Sequence, residues 1–137
     1  MTSYARPLLV AIVAHYNAGA AAATLKANTS GIFTGRADDG RAFPFLTISL
    51  PSAGTDRNFG KKFDTVTVDF NLWDDDRDPD DILSRAGEVE SAYRDQIFVV
   101  SGFTMLDANK VAGLLIEEPD LEGWHYVTTI EYLLEKA

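Results

Sequence analysis

The chain has 137 residues, 46% of them hydrophobic and 24% charged, which is the size and composition of one ordinary globular domain rather than two. It has no cysteine, and this excludes a disulfide framework, a zinc–thiolate centre and a thiol nucleophile. The formal net charge of −9 is unevenly spread: residues 1–37 carry Arg6, Lys26 and Arg36 and no acid, and all 21 acids stand from Asp38 onward against nine bases. So acidic a surface repels a phosphate backbone, so DNA or RNA is not expected as a tightly held ligand.

No apolar run reaches the length of a membrane-spanning helix. Leu8–Ala14 is broken by His15, Tyr16 and Asn17, too soon for the apolar core of a secretion signal. A cytoplasmic compartment, with no membrane partner, is the expectation.

Residues 4–16 are expected to form a helix, because Leu8, Leu9, Ile12, Val13 and Tyr16 share one stripe at helical spacing. Ala20–Ala27 is a candidate second short helix, alanine being the best helix former. Ile32–Thr34 is a short strand, and the polar residues 35–41 read as a loop. Phe43–Leu50 follows as a strand, with Phe43, Phe45, Thr47 and Ser49 on one face and Leu46, Ile48 and Leu50 on the other.

Ser52–Gly60 reads as a flexible loop on its Ser, Gly, Thr, Asp and Asn content. Phe63–Trp73 is the clearest strand, with Val66, Val68, Phe70 and Leu72 alternating with Thr65, Thr67, Asp69 and Asn71. One face is therefore buried and the other wet, as in an antiparallel sheet. Asp78-Pro79 opens a helix, Asp as cap and Pro in the first position, which runs to about Gln96 with Ile82, Ala86, Val89 and Tyr93 inward. Phe103–Leu106 and Val111–Glu118 read as two short strands around Asp107-Ala108-Asn109, and Trp124–Leu134 as the last strand. Strands in adjacent runs predict an α+β fold: an antiparallel or mixed sheet of four to five strands with helices packed on one face, in a single domain over 1–137.

Three features invite a chemical reading. The run Asp74, Asp75, Asp76, Asp78, Asp80, Asp81 lacks Gly at the sixth and Glu at the twelfth position of a calcium loop in either register, so it is read as helix capping and solubility. His15 sits on an apolar helix with no carboxylate near it in sequence and is read as packed or at an interface, while His125 is expected to face solvent. No Gly-x-Ser-x-Gly elbow and no phosphate-cradling loop is present. No catalytic, cofactor-binding or metal-binding residue is assigned, and no enzymatic activity or cofactor is expected. Arg57, Lys61 and Lys62 place three positive charges in the 52–62 segment of an acidic chain, where Phe59 is the aromatic; these four residues are the candidate protein interface.

The order of elements carries a resemblance. Ala42-Phe43-Pro44-Phe45-Leu46-Thr47-Ile48 is an aromatic-Pro step into a strand. Val66-Thr67-Val68-Asp69-Phe70-Asn71-Leu72-Trp73-Asp74 is a long strand ending in an aromatic, and Gly123-Trp124-His125-Tyr126 opens the last strand after a turn glycine. Over about residues 4 to 134 the chain resembles the tail terminator, or tail completion, proteins of long-tailed bacteriophages and related tail-like particles. The resemblance implies a structural virion protein of the tail or neck, assembled in the host cytoplasm. It implies a ring, usually of six copies, that docks on the last ring of the tail tube protein and stops its growth. Such a ring offers a surface to the head-tail connector protein and lets DNA pass its lumen without tight binding. The alternatives are another head-tail connector or minor tail protein, or a small acidic protein-binding domain unrelated to phage. A ring needs two unlike surfaces on each subunit, and a basic first segment joined to an acidic remainder supplies them.

Overall fold

The computed structural model describes residues 5–58 and 61–136, with the side chains of 51–62 and Leu121 outside the description. Helix α1 spans Ala5–Ala18, a 3-10 turn covers Ala20–Ala22, and α2 spans Ala23–Asn28. Strands β1 (Ile32–Thr34), β2 (Phe45–Asn58) and β3 (Lys61–Asp74) follow, then α3 (Pro79–Tyr93) and β4 (Phe103–Glu118). A second 3-10 turn at Pro119–Leu121 leads into β5 (Gly123–Lys136).

The five strands form one sheet in the order β1-β2-β3-β5-β4. β1 runs parallel to β2 and the other pairs are antiparallel, so the sheet is mixed and the fold α+β, with the helices against one face. The alternation of β3 holds: Val66, Val68, Phe70 and Leu72 are buried, together with Leu46 and Ile48 of β2 and Ile130, Tyr132 and Leu134 of β5. They meet Leu8 and Ile12 of α1 and Ile82, Val89 and Tyr93 of α3 in one core. The Tyr93 ring lies 4.4 Å from that of Phe70, and its hydroxyl donates to the Ile12 carbonyl at 2.9 Å, which ties α3 to both α1 and the sheet. His15 is packed here as well, its ring stacked on Phe98 and its Nε2 2.7 Å from the Ala92 carbonyl.

Three expectations are corrected. Residues 52–58 are not a flexible loop: they continue β2, and the ladder with β3 runs on through Thr55–Asp64 to Arg57–Lys62 and Asn58–Lys61. A register shift between Ser49 and Ser52 lets the strand bend and go on, as a bulge does. Likewise Phe103–Leu106 and Val111–Glu118 are not two strands. They are one, β4, carried past Asp107-Ala108-Asn109 by register shifts at Met105/Asp107 and Lys110/Ala112. The helix after Asp78 ends at Tyr93 rather than near Gln96.

The acidic run caps and turns. The Asp78 carboxylate accepts from the Asp80 amide at 3.0 Å, with Pro79 in the first turn of α3. Asp74 and Asp76 do the same for the amides of Asp76 and Asp78, so three alternate aspartates each hold the backbone two residues on. Among the described residues no single helix is long and apolar enough to cross a membrane. The bent pair Ala5–Ala18 and Ala20–Asn28 passes by length and composition only, and Leu8, Ile12 and Leu25 within it are buried in the core.

Candidate functional site

The sheet's strand ends differ in charge. At one end stand the close of β3, the start of α3, the close of β4 and the start of β5. Residues 74–81 and 117–122 there hold ten carboxylates against one cation, Arg77. Arg77 pairs with Glu122 at 2.8 Å, and its carbonyl accepts the Trp124 indole N–H at 2.9 Å, closing a pocket of about 300 Å³ rimmed by Glu117 and Glu118. Gly123 is required at this corner, since a Cβ on it would run into the Asp74 carbonyl oxygen.

The opposite end carries the predicted interface residues. Arg57 lies directly across the β2–β3 ladder from Lys62, and Lys61 across from Asn58. The last described β3–β5 rung is Phe63–Glu135, so these three cations sit on rungs of the hairpin beyond it. The structure thus brings Arg57, Lys61 and Lys62 together at the end of a paired hairpin. Phe59 lies outside the described residues.

The face of the sheet away from the helices holds a third feature, which the sequence reading missed. Phe45, Trp73, His125 and Ile116 lie side by side in register on β2, β3, β5 and β4. His125 is not solvent-facing as expected: it is 9% exposed because the Trp73 indole stacks on it at 3.8 Å. The Asn71 amide nitrogen donates to the carbonyls of Thr47 at 3.2 Å and Asp69 at 3.4 Å, which turns its oxygen toward His125 Nε2 at 3.0 Å. The other ring nitrogen, Nδ1, stands 3.4 Å from the Glu118 carboxylate. Burial pushes the His125 pKa below its ordinary 6.5, and the Glu118 carboxylate opposes that shift. The Thr129 hydroxyl donates to Asp69 at 2.7 Å four rungs further along the same strand pair. A groove of about 440 Å³ opens beside this cluster, between Phe43, Phe45, Trp73 and the 35–41 loop. Partnered this way, the His125 ring is a positioned element of a packed face rather than a free base. The signal that would have found it is register: once β3 and β5 are paired, Trp73 and His125 fall on one rung.

Comparison with solved structures adds one finding. A chain described as "Virion of native gene transfer agent (GTA) particle" superposes with a TM-score of 0.77 at 13% sequence identity, covering 98% of this chain and 99% of that one. The two share a fold. No protein-family model matches the chain, and no curated protein matches its sequence.

Proposed function

We propose that this chain is a structural virion protein that terminates a tail: copies close into a ring of six, the ring sits on the end of the tail tube and stops its polymerisation, and its far side joins the head-tail connector. The observation that carries the reading is the likeness to a gene transfer agent virion chain over nearly the whole of both chains. It supports the resemblance that the sequence carries on its own residues.

The charge layout agrees with the role. A subunit with ten carboxylates at one end of its strands and a cationic hairpin at the other presents unlike surfaces along one axis, as a piece between tube and connector must. An acidic lumen lets DNA slide past without holding its phosphates. The role needs binding, not catalysis.

Deletion of the gene from a particle-producing genome tests this. Tails of uncontrolled length that fail to join heads are the expected product. Tails of normal length that still fail to join heads would move the protein to the connector class, a role the same likeness to a virion chain also supports. Normal, head-joined tails would end both readings.

A further inference from the structure

The two outer edges of the sheet are unlike, and each leaves apolar side chains in solvent. At one edge β4 has no further strand beside it among the described residues. Val111 and Leu114 on it are 50% and 59% exposed, and Ala112 and Gly113 between them are exposed too. At the other edge α1 passes beside β1 and leaves a groove of about 510 Å³ bounded by Leu9, Val10, Val13 and Thr34, with Val10 58% exposed. Long apolar edges left open are rare in proteins that stay monomeric, because such an edge recruits another chain. These two edges stand on opposite sides of the sheet and cannot cover one another within a subunit.

Charge says what covers them. The α1–β1 flank lies wholly in the acid-free first segment, with Arg6 exposed at the groove. The outer part of β4 runs into Glu117 and Glu118. One flank is basic and apolar, the other acidic and apolar. β1 is parallel to β2, whereas β4 runs antiparallel to both. Leu114 shares the helix-free face with Ile116, so it is this outer face of β4, and not its hydrogen-bonding edge, that meets the neighbour's flank.

We propose that the outer face of β4, around Val111 and Leu114, seats on the α1–β1 flank of a second copy of this chain. The inference rests on the ring reading and specifies its subunit contact. The contact is heterologous: each copy gives one flank to each neighbour, so a ring closes and neither flank is left open.

The test uses two variants of the full chain, Leu114→Asp and Val10→Asp. Both side chains are exposed, so circular dichroism and melting should match the wild type. Native mass spectrometry and light scattering should show wild-type rings and, for each variant alone, monomers. Mixed together, the two variants should give a one-to-one dimer and nothing larger, because each retains the flank that the other has lost. Rings from either variant, or a mixture that stays monomeric, would overturn the proposal. So would a wild type that is itself monomeric. Variants that keep their rings but no longer stop tube growth would assign the flanks to another protein and overturn the pairing as well. In each of these cases the deletion particles still decide the terminator reading separately.

Discussion

Trp73 and His125 lie face to face on neighbouring strands, their ring centroids 3.8 Å apart and their planes 12° from parallel. The stack shields the imidazole from water on a sheet face that carries no helix, and it does so where Asn71 and Glu118 already claim the two ring nitrogens.

That shielding has a pH consequence. Burial is the leading influence on His125 and lowers its pKa in the folded chain, with Glu118 opposing. A group with a depressed folded pKa contributes its full stability above the unfolded value. As the pH falls through about 6.5 the unfolded chain takes up the proton first, and that contribution is lost by the time the folded pKa is passed. Denaturant midpoints measured from pH 8 to 5 should therefore fall more steeply for the wild type than for His125→Gln below pH about 6.5. A wild type that instead gains on the variant upon acidification would mean that the Glu118 attraction governs the site.

The facing of β3 gives a sharper contrast. Val68 and Phe70 are fully buried, so Val68→Asp or Phe70→Asp places an unpaired charge in the core. Either change should cost upward of about 4 kcal/mol and leave the protein insoluble. Thr67 points to the other face and stands opposite Glu131. Thr67→Asp should cost no more than about 1 kcal/mol, the effect of a like-charged cross-strand pair, and soluble yield should stay near wild type.

These outcomes bear on what the sequence can and cannot say. The buried stripe of β3 was readable because one wet face forces a two-residue period on it. The Asp78-Pro79 helix start was readable because capping is local. The outer half of β2 was not: Ser52–Asn58 has no apolar alternation, and what makes it a strand is its ladder with Lys61–Thr67, a non-local fact. β4 hid for a related reason, since Asp107-Ala108-Asn109 looks like a turn until two bulges carry the strand past it. For His125 the alternation placed the side chain on the correct face. Only the pairing of β3 with β5 puts Trp73 over it.

Tyr132 offers a test of the core itself. It is fully buried on β5, its ring 6.0 Å from that of Phe98, and its hydroxyl has no hydrogen-bond partner among the described residues. An unsatisfied buried hydroxyl costs roughly 1–3 kcal/mol in lost hydration. Tyr132→Phe keeps the ring and removes that cost, so the variant should unfold at a higher denaturant concentration than the wild type. A loss of more than about 1 kcal/mol would show that the hydroxyl is bonded after all, since that is the net worth of a typical hydrogen bond.

The cationic hairpin carries the functional prediction. Arg57 and Lys62 are partners across the β2–β3 ladder, with Lys61 on the next rung. In so acidic a chain the nearest acidic candidate to meet these three charges is another copy's strand-end cluster. Replacing Arg57, Lys61 and Lys62 by Glu leaves the backbone ladder of the hairpin in place, so the fold should survive, as circular dichroism would report. Contacts of exposed charges steer docking and are screened over about 8 Å at physiological salt. Wild-type ring formation or tube capping should therefore weaken as salt rises. The reversed variant should be impaired at low salt, where repulsion is strongest, and its residual docking should improve on adding salt. A reversed variant that assembles and caps tubes like the wild type at low salt would remove the hairpin from the docking surface.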